Sequence, residues 1–146
     1  MLTKRLAITA TLTTALALAT PLGAQTAVAS NTPRHTIVVQ LIERPGTMPY
    51  AFEPATFAAE RGDTLRFVQA ASVMHNVHFK TSPKGARLGA AAVSQYLTTK
   101  GQSITIVIDS RFVDGKYEIV CDPHEMVGMH AFLTVEGGTT TAVGGR

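Results

Sequence analysis

Residues 121–130 read Cys-Asp-Pro-His-Glu-Met-Val-Gly-Met-His. This decapeptide holds the chain's single cysteine, two of its five histidines and two of its five methionines. Thiolate, imidazole and thioether are soft or borderline donors, and donors of this kind gathered in one short stretch suit a transition-metal site. His75 and His78 lie far upstream in Met74-His75-Asn76-Val77-His78, so any site built on them joins distant parts of the chain.

The elements that must position these groups read as short strands. His35–Glu43 is apolar and β-branched, and Arg44-Pro45-Gly46 ends it. A weaker strand is expected over 51–58, followed by the turn Glu60-Arg61-Gly62-Asp63. Further strands are expected at 64–69, 74–79, 103–109, 116–121 and 129–136. Short strands divided by frequent turn residues predict an all-β antiparallel sandwich or barrel. A stretch near 85–99, with Gly85, Gly89 and an Ala-rich run, does not alternate, and a short helix or loop excursion is expected there.

Alternation along a strand sorts the donors by face. Met129 shares a face with Ala131, Leu133 and Val135, so it is expected inward and His130 outward. Cys121 goes with Tyr117 and Ile119, while Glu118 and Val120 face away. His75 goes with Val77 and Phe79, opposite Asn76, His78 and Lys80. His75, Cys121 and Met129 thus point inward, with His124 in the loop between the last two strands. His78 and His130 are expected in solvent, and His35 shows no partner.

One thiolate, two imidazoles and a thioether suit copper better than zinc. Structural zinc prefers four cysteines, three cysteines with one histidine, or two of each. A weak axial thioether beside two histidines and a cysteine instead marks a blue-copper electron-transfer centre. A binuclear copper centre bridged by thiolates would need two cysteines, and there is one. Met126 competes with Met129 for the axial place but stands only two residues past His124, so Met129 is preferred.

The set Cys121-x-x-His124-x-x-x-x-Met129, with Met74-His75-Asn76-Val77 upstream and Gly115-Lys-Tyr-Glu-Ile-Val-Cys121 before it, resembles the cupredoxins, near plastocyanin and pseudoazurin. The resemblance runs from about Thr36 to Val135. It implies an eight-stranded Greek-key β-sandwich, one copper ion per chain cycling between Cu(I) and Cu(II), and the shuttling of single electrons rather than catalysis. It also implies that His75, Cys121 and His124 are the strong ligands and Met129 the axial one. In such proteins an asparagine ties the first histidine's strand to the residue after the cysteine, usually Ser or Thr. Here that residue is Asp122, and Asn76 is expected to donate to its carboxylate. Pro123 has no N–H to offer the sulfur, which pushes the expected potential upward. Val120 stands where photosynthetic plastocyanins carry a surface tyrosine, so the exposed edge of His124 remains as the electron path. Around it Pro123, Met126 and Val127, with Met48 and Pro49, form an apolar patch suited to brief docking of redox protein partners. A copper carrier or copper-stress protein without a redox partner is the alternative, and a zinc-bound structural module a weaker third.

The first 29 residues are expected to form a secretory signal peptide. Lys4 and Arg5 precede an apolar run ending at Pro21 and Gly23, and Ala27-Val28-Ala29 offers a cleavage site, with cleavage after Ala24 as the other choice. The expected domain is 30–136, followed by a flexible tail over 137–146. Without Lys4 and Arg5 the formal charge of +3 falls to +1. No cluster of Lys and Arg remains, which argues against nucleic acid. A monomer, exported to a periplasm or the exterior and with no membrane span after cleavage, is the resulting expectation.

Overall fold

The computed structural model describes residues 35–137. The expected signal peptide and nearly all of the tail lie outside the described residues. Eight strands form two four-stranded sheets. They are β1 (Thr36–Glu43), β2 (Tyr50–Glu53), β3 (Thr56–Glu60), β4 (Thr64–Gln69), β5 (His78–Thr81), β6 (Ser103–Val107), β7 (Gly115–Val120) and β8 (His130–Glu136). One sheet runs β2-β1-β4-β6 and the other β3-β8-β7-β5.

The all-β sandwich is as expected, but it is not wholly antiparallel. β1 pairs β4 in parallel, and β3 pairs β8 in parallel. No crossover helix is needed, because the chain leaves the first sheet after β2 and visits the second through β3 before returning as β4. The strand expected over 51–58 is therefore two strands in different sheets. Pro54 lies at the break, where it has no N–H to give a ladder.

Phe52, Phe67, Leu41 and Leu65 from one sheet and Tyr117, Ile119 and Leu133 from the other are fully buried between the layers. Phe67 meets Phe52 and Phe57 edge to face at 6.3 and 6.4 Å, a favoured geometry for aromatic rings. The Tyr117 hydroxyl donates to the Val113 carbonyl and accepts from the Val113 N–H, both at 2.8 Å. That tyrosine closes the turn into β7, the strand that leads to Cys121.

The excursion between β5 and β6 contains a short 3-10 helix at Gly89–Ala92, within the stretch expected near 85–99. Its return lies beside the histidine segment. His75 N–H donates to Leu97 O at 3.1 Å and Leu97 N–H to His75 O at 2.7 Å. Ser94 receives the Val77 N–H on its hydroxyl at 2.9 Å. Residues 74–77 are thus held by single bridges rather than a continuous strand, and regular pairing begins only at His78.

Candidate metal centre

Three side chains converge at one end of the sandwich. His75 Nδ1 lies 3.4 Å from Cys121 Sγ, Cys121 Sγ lies 3.4 Å from His124 Nδ1, and the two Nδ1 atoms are 3.0 Å apart. His75 enters from the bridged segment before β5, Cys121 from the end of β7, and His124 from a second 3-10 helix, Asp122–Val127. Gly128 ends that helix with φ +88°, a left-handed conformation that suits glycine, and the chain then enters β8 through Met129.

His75, Cys121 and Met129 are all wholly buried, as the alternation predicts. Met129 N–H donates to His124 O at 3.1 Å, and Cys121 N–H donates to Met129 O at 3.3 Å. Met126 is 96% exposed. Val127 is also exposed, as are Met48 and Met74.

Burial holds the three donors toward their uncharged forms. Burial and the neighbouring His124 push His75 down to about 4, and burial lowers His124 as well. Burial pushes the Cys121 thiol up, against the backbone N–H groups of Asn76 and His124, which pull it down. Two imidazoles and a thiol thus face one another through Nδ1, Nδ1 and Sγ. His75 Nε2 is buried with no hydrogen-bond partner, and a metal on Nδ1 fixes the ring's proton on that nitrogen. Two nitrogens and a sulfur that all lie within 4.8 Å of one another can hold one ion, and their softness matches copper.

The supporting contacts correct several expectations. Asn76, placed outward by alternation, is buried because the segment before His78 is not a regular strand. Its Nδ2 donates to Asp122 Oδ2 at 2.6 Å, and the Asp122 N–H donates to Asn76 Oδ1 at 2.9 Å. His78, expected in solvent, places Nδ1 2.7 Å from Asp122 Oδ1. His78 and then Asn76 hold the Asp122 carboxyl below its ordinary value. His130 is likewise only half exposed and meets Glu118. Val120, expected to face away, lies on the outer side yet is fully buried, because its cross-strand neighbours are His78 and His130. His35 is not alone either; its N–H donates to Asp63 Oδ1 at 3.0 Å. Pro123 leaves the sulfur without one donor, but the amides of Asn76 and His124 act on it.

Two residues escaped the sequence reading. Tyr50, the first residue of β2, lies over His124 with ring centroids 4.1 Å apart at 40°, and meets His75 at 5.4 Å and 67°. No spacing rule points to it. Gln69, buried at the end of β4, donates through Nε2 to Val73 O at 2.6 Å and Leu97 O at 2.9 Å. It steadies the segment that pairs with His75. The available signal was a glutamine on the face of Leu65 and Phe67.

Comparison with known proteins points to copper as the metal. The chain matches "Copper binding proteins, plastocyanin/azurin family" over residues 39–136. Plastocyanin of Scenedesmus fuscus is 32% identical over 87 residues, spanning 58% of this chain and 86% of that protein. Chloroplastic plastocyanin of Tetradesmus obliquus is 34% identical over 87 residues, 58% of either chain. The solved structure of oxidised plastocyanin from Dryopteris crassirhizoma shares the fold, with TM-score 0.56 at 22% identity over 68% of this chain and 100% of that one. With a match over more than half of its length and a soft cluster of two imidazoles and one thiol in a two-sheet sandwich, the chain belongs to the plastocyanin/azurin family of copper-binding proteins, and its cofactor is copper.

Proposed function

We propose that this chain is an exported carrier of single electrons. In this reading His75 and His124 hold the copper through Nδ1, Cys121 through its thiolate, and Met129 supplies a weak fourth donor. The convergence of two Nδ1 atoms and one Sγ within 4.8 Å of one another carries the reading. The burial of Met129 and the 96% exposure of Met126 support the choice between the two methionines.

The bound copper supplies a one-electron couple between Cu(I) and Cu(II). The protein's part is to keep the donors still while the charge changes, since rigid preorganised ligands lower the cost of rearrangement. Cys121 and Met129 are anchored in the core, Asn76 ties the first histidine's segment to the ligand loop, and Tyr50 lies against His124. His124 alone among the donors is partly exposed, so its edge is the place for an electron to enter and leave. Met126, Val127 and Met48 are exposed apolar side chains from the segments around it. They suit brief contact with a redox protein, whose interfaces are small.

Export rests on the N-terminal pattern of Lys4, Arg5 and the apolar run before Ala27-Val28-Ala29. Among the described residues no helix is long and apolar enough to cross a membrane.

A copper carrier is the second reading, favoured by the exposure of Met48, Met74 and Met126, since thioethers are ligands for Cu(I). Voltammetry of the copper-loaded protein separates the two. A reversible one-electron wave, with Cu(I) retained against a chelator, is expected of an electron carrier. A sluggish wave with prompt loss of Cu(I) supports the carrier of metal instead.

A further inference from the structure

The 3-10 helix Asp122–Val127 carries His124, yet it has no buried side chain and no side-chain cap at its start. A 3-10 segment has poorer internal hydrogen bonds than an α-helix, and apolar burial does not hold this one. Asn76 and His78 hold its first residue, Asp122, and further contacts on its outer side hold the residue after His124.

Those contacts form a ring through Glu125, the residue after His124, and both nitrogens of His130 must carry a proton for it to close, since each faces an oxygen acceptor. His130 on β8 places Nε2 3.2 Å from the Glu125 carbonyl oxygen and Nδ1 3.0 Å from Glu118 Oε1. Glu118 on β7 accepts from Thr81 Oγ1 at 3.2 Å through its other oxygen. Lys80, next to Thr81 on β5, donates from Nζ to Glu125 Oε2 at 3.1 Å. The ring thus leaves β5 at Lys80, grips Glu125 by its side chain, grips it again by its main chain, and returns to β5 at Thr81. Three strands share it. Single half-exposed ion pairs contribute little, but two of these links hold Glu125, one by its main chain and one by its side chain, and the other two hold His130 and Glu118 to their neighbours.

We propose that this ring, with His130 at its centre, is a positioning device that holds the ligand loop, and with it His124, in place before any metal is bound. The proposal rests on the reading of His124 as a copper ligand only for its purpose, since the ordering of the loop is a property of the metal-free protein. The His130 ring bonds to Glu118 and to the Glu125 carbonyl, and it acts on His124 through Glu125. With the ring intact the loop arrives already formed, and a copper ion meets a cage rather than a mobile strand.

Amide hydrogen exchange on the metal-free protein tests this. The N–H groups of His124, Gly128 and Met129 donate within the loop at 2.9, 2.9 and 3.1 Å and report its opening. His130→Leu removes both ring nitrogens while keeping bulk, and Glu118→Gln and Lys80→Gln weaken the ring at half-exposed positions. The expected result is about tenfold faster exchange at these three amides in His130→Leu. Smaller increases are expected in the two Gln variants, and partial recovery in His130→Gln, which can still reach one acceptor. Core amides such as those of Leu41 and Phe67 should keep their wild-type rates. Unchanged loop amides in His130→Leu, or equal acceleration of loop and core, overturns the proposal. Cu(II) added to the wild-type protein separates this from the copper reading: absence of intense colour defeats that reading, whatever the amides do.

Discussion

Asn76→Ala removes two hydrogen bonds from a side chain that is 1% exposed. The first, from Nδ2 to Asp122 Oδ2 at 2.6 Å, has a charged acceptor; bonds of that kind contribute about 1.5–3 kcal/mol. The second, from the Asp122 N–H to Asn76 Oδ1 at 2.9 Å, is neutral and contributes about 1 kcal/mol. Asp122 is exposed, so water recovers part of both, and a net loss of about 2–3 kcal/mol is expected. At about 4–8 °C per kcal/mol for a domain of this size, the metal-free protein should melt more than about 8 °C lower. The bond joins the strand segment of His75 to the residue after Cys121, so copper affinity should fall as well. A double-mutant cycle with Asp122→Ala in chemical denaturation isolates the pair, and a coupling of about 2 kcal/mol is predicted. A coupling below about 0.5 kcal/mol, within the ordinary additivity of separate sites, together with unaltered copper affinity, refutes the idea that this bond pins the ligand loop.

Three further outcomes are expected. The metal-free protein should lose stability as pH falls from 6.5 to about 4, because the unfolded chain takes up a proton that buried His75 refuses. The loss is about 3 kcal/mol by the bottom of that window, read as the change in denaturation midpoint between pH 7 and pH 4; a flat profile contradicts it. Tyr50→Leu should release Cu(I) to a chelator roughly fivefold faster, the effect of losing an aromatic contact of about 1 kcal/mol, while Tyr50→Phe stays near wild type. Met126→Lys should slow electron exchange with a redox partner and leave the copper spectrum unaltered, and equal exchange rates count against docking at that edge.

The inward placement of the two sulfurs was legible in the sequence because it follows simple periodicity. Met129, Ala131, Leu133 and Val135 alternate inward on β8, and Cys121 follows Tyr117 and Ile119 on β7, so parity alone places the sulfurs. The same rule misplaced Asn76, because alternation assumes a regular strand and residues 74–77 are held by Leu97 and Ser94 instead. It also left His78 and His130 in solvent, since a parity argument knows which side a residue faces but not what covers it. Parallel pairing of β1 with β4 was hidden for a different reason: strand patterns carry no record of which sheet each strand joins. Tyr50 stacks on His124 through a contact between residues 74 apart in sequence, and no local pattern encodes it.

Titration of the metal-free protein with Cu(II), followed by visible absorption, probes the proposed ligands themselves. Wild type should take up one equivalent and develop an intense charge-transfer colour that vanishes on reduction and is abolished by Cys121→Ser. Binding that gives no intense band, or a band that survives Cys121→Ser, contradicts a cage built on His75, Cys121, His124 and Met129.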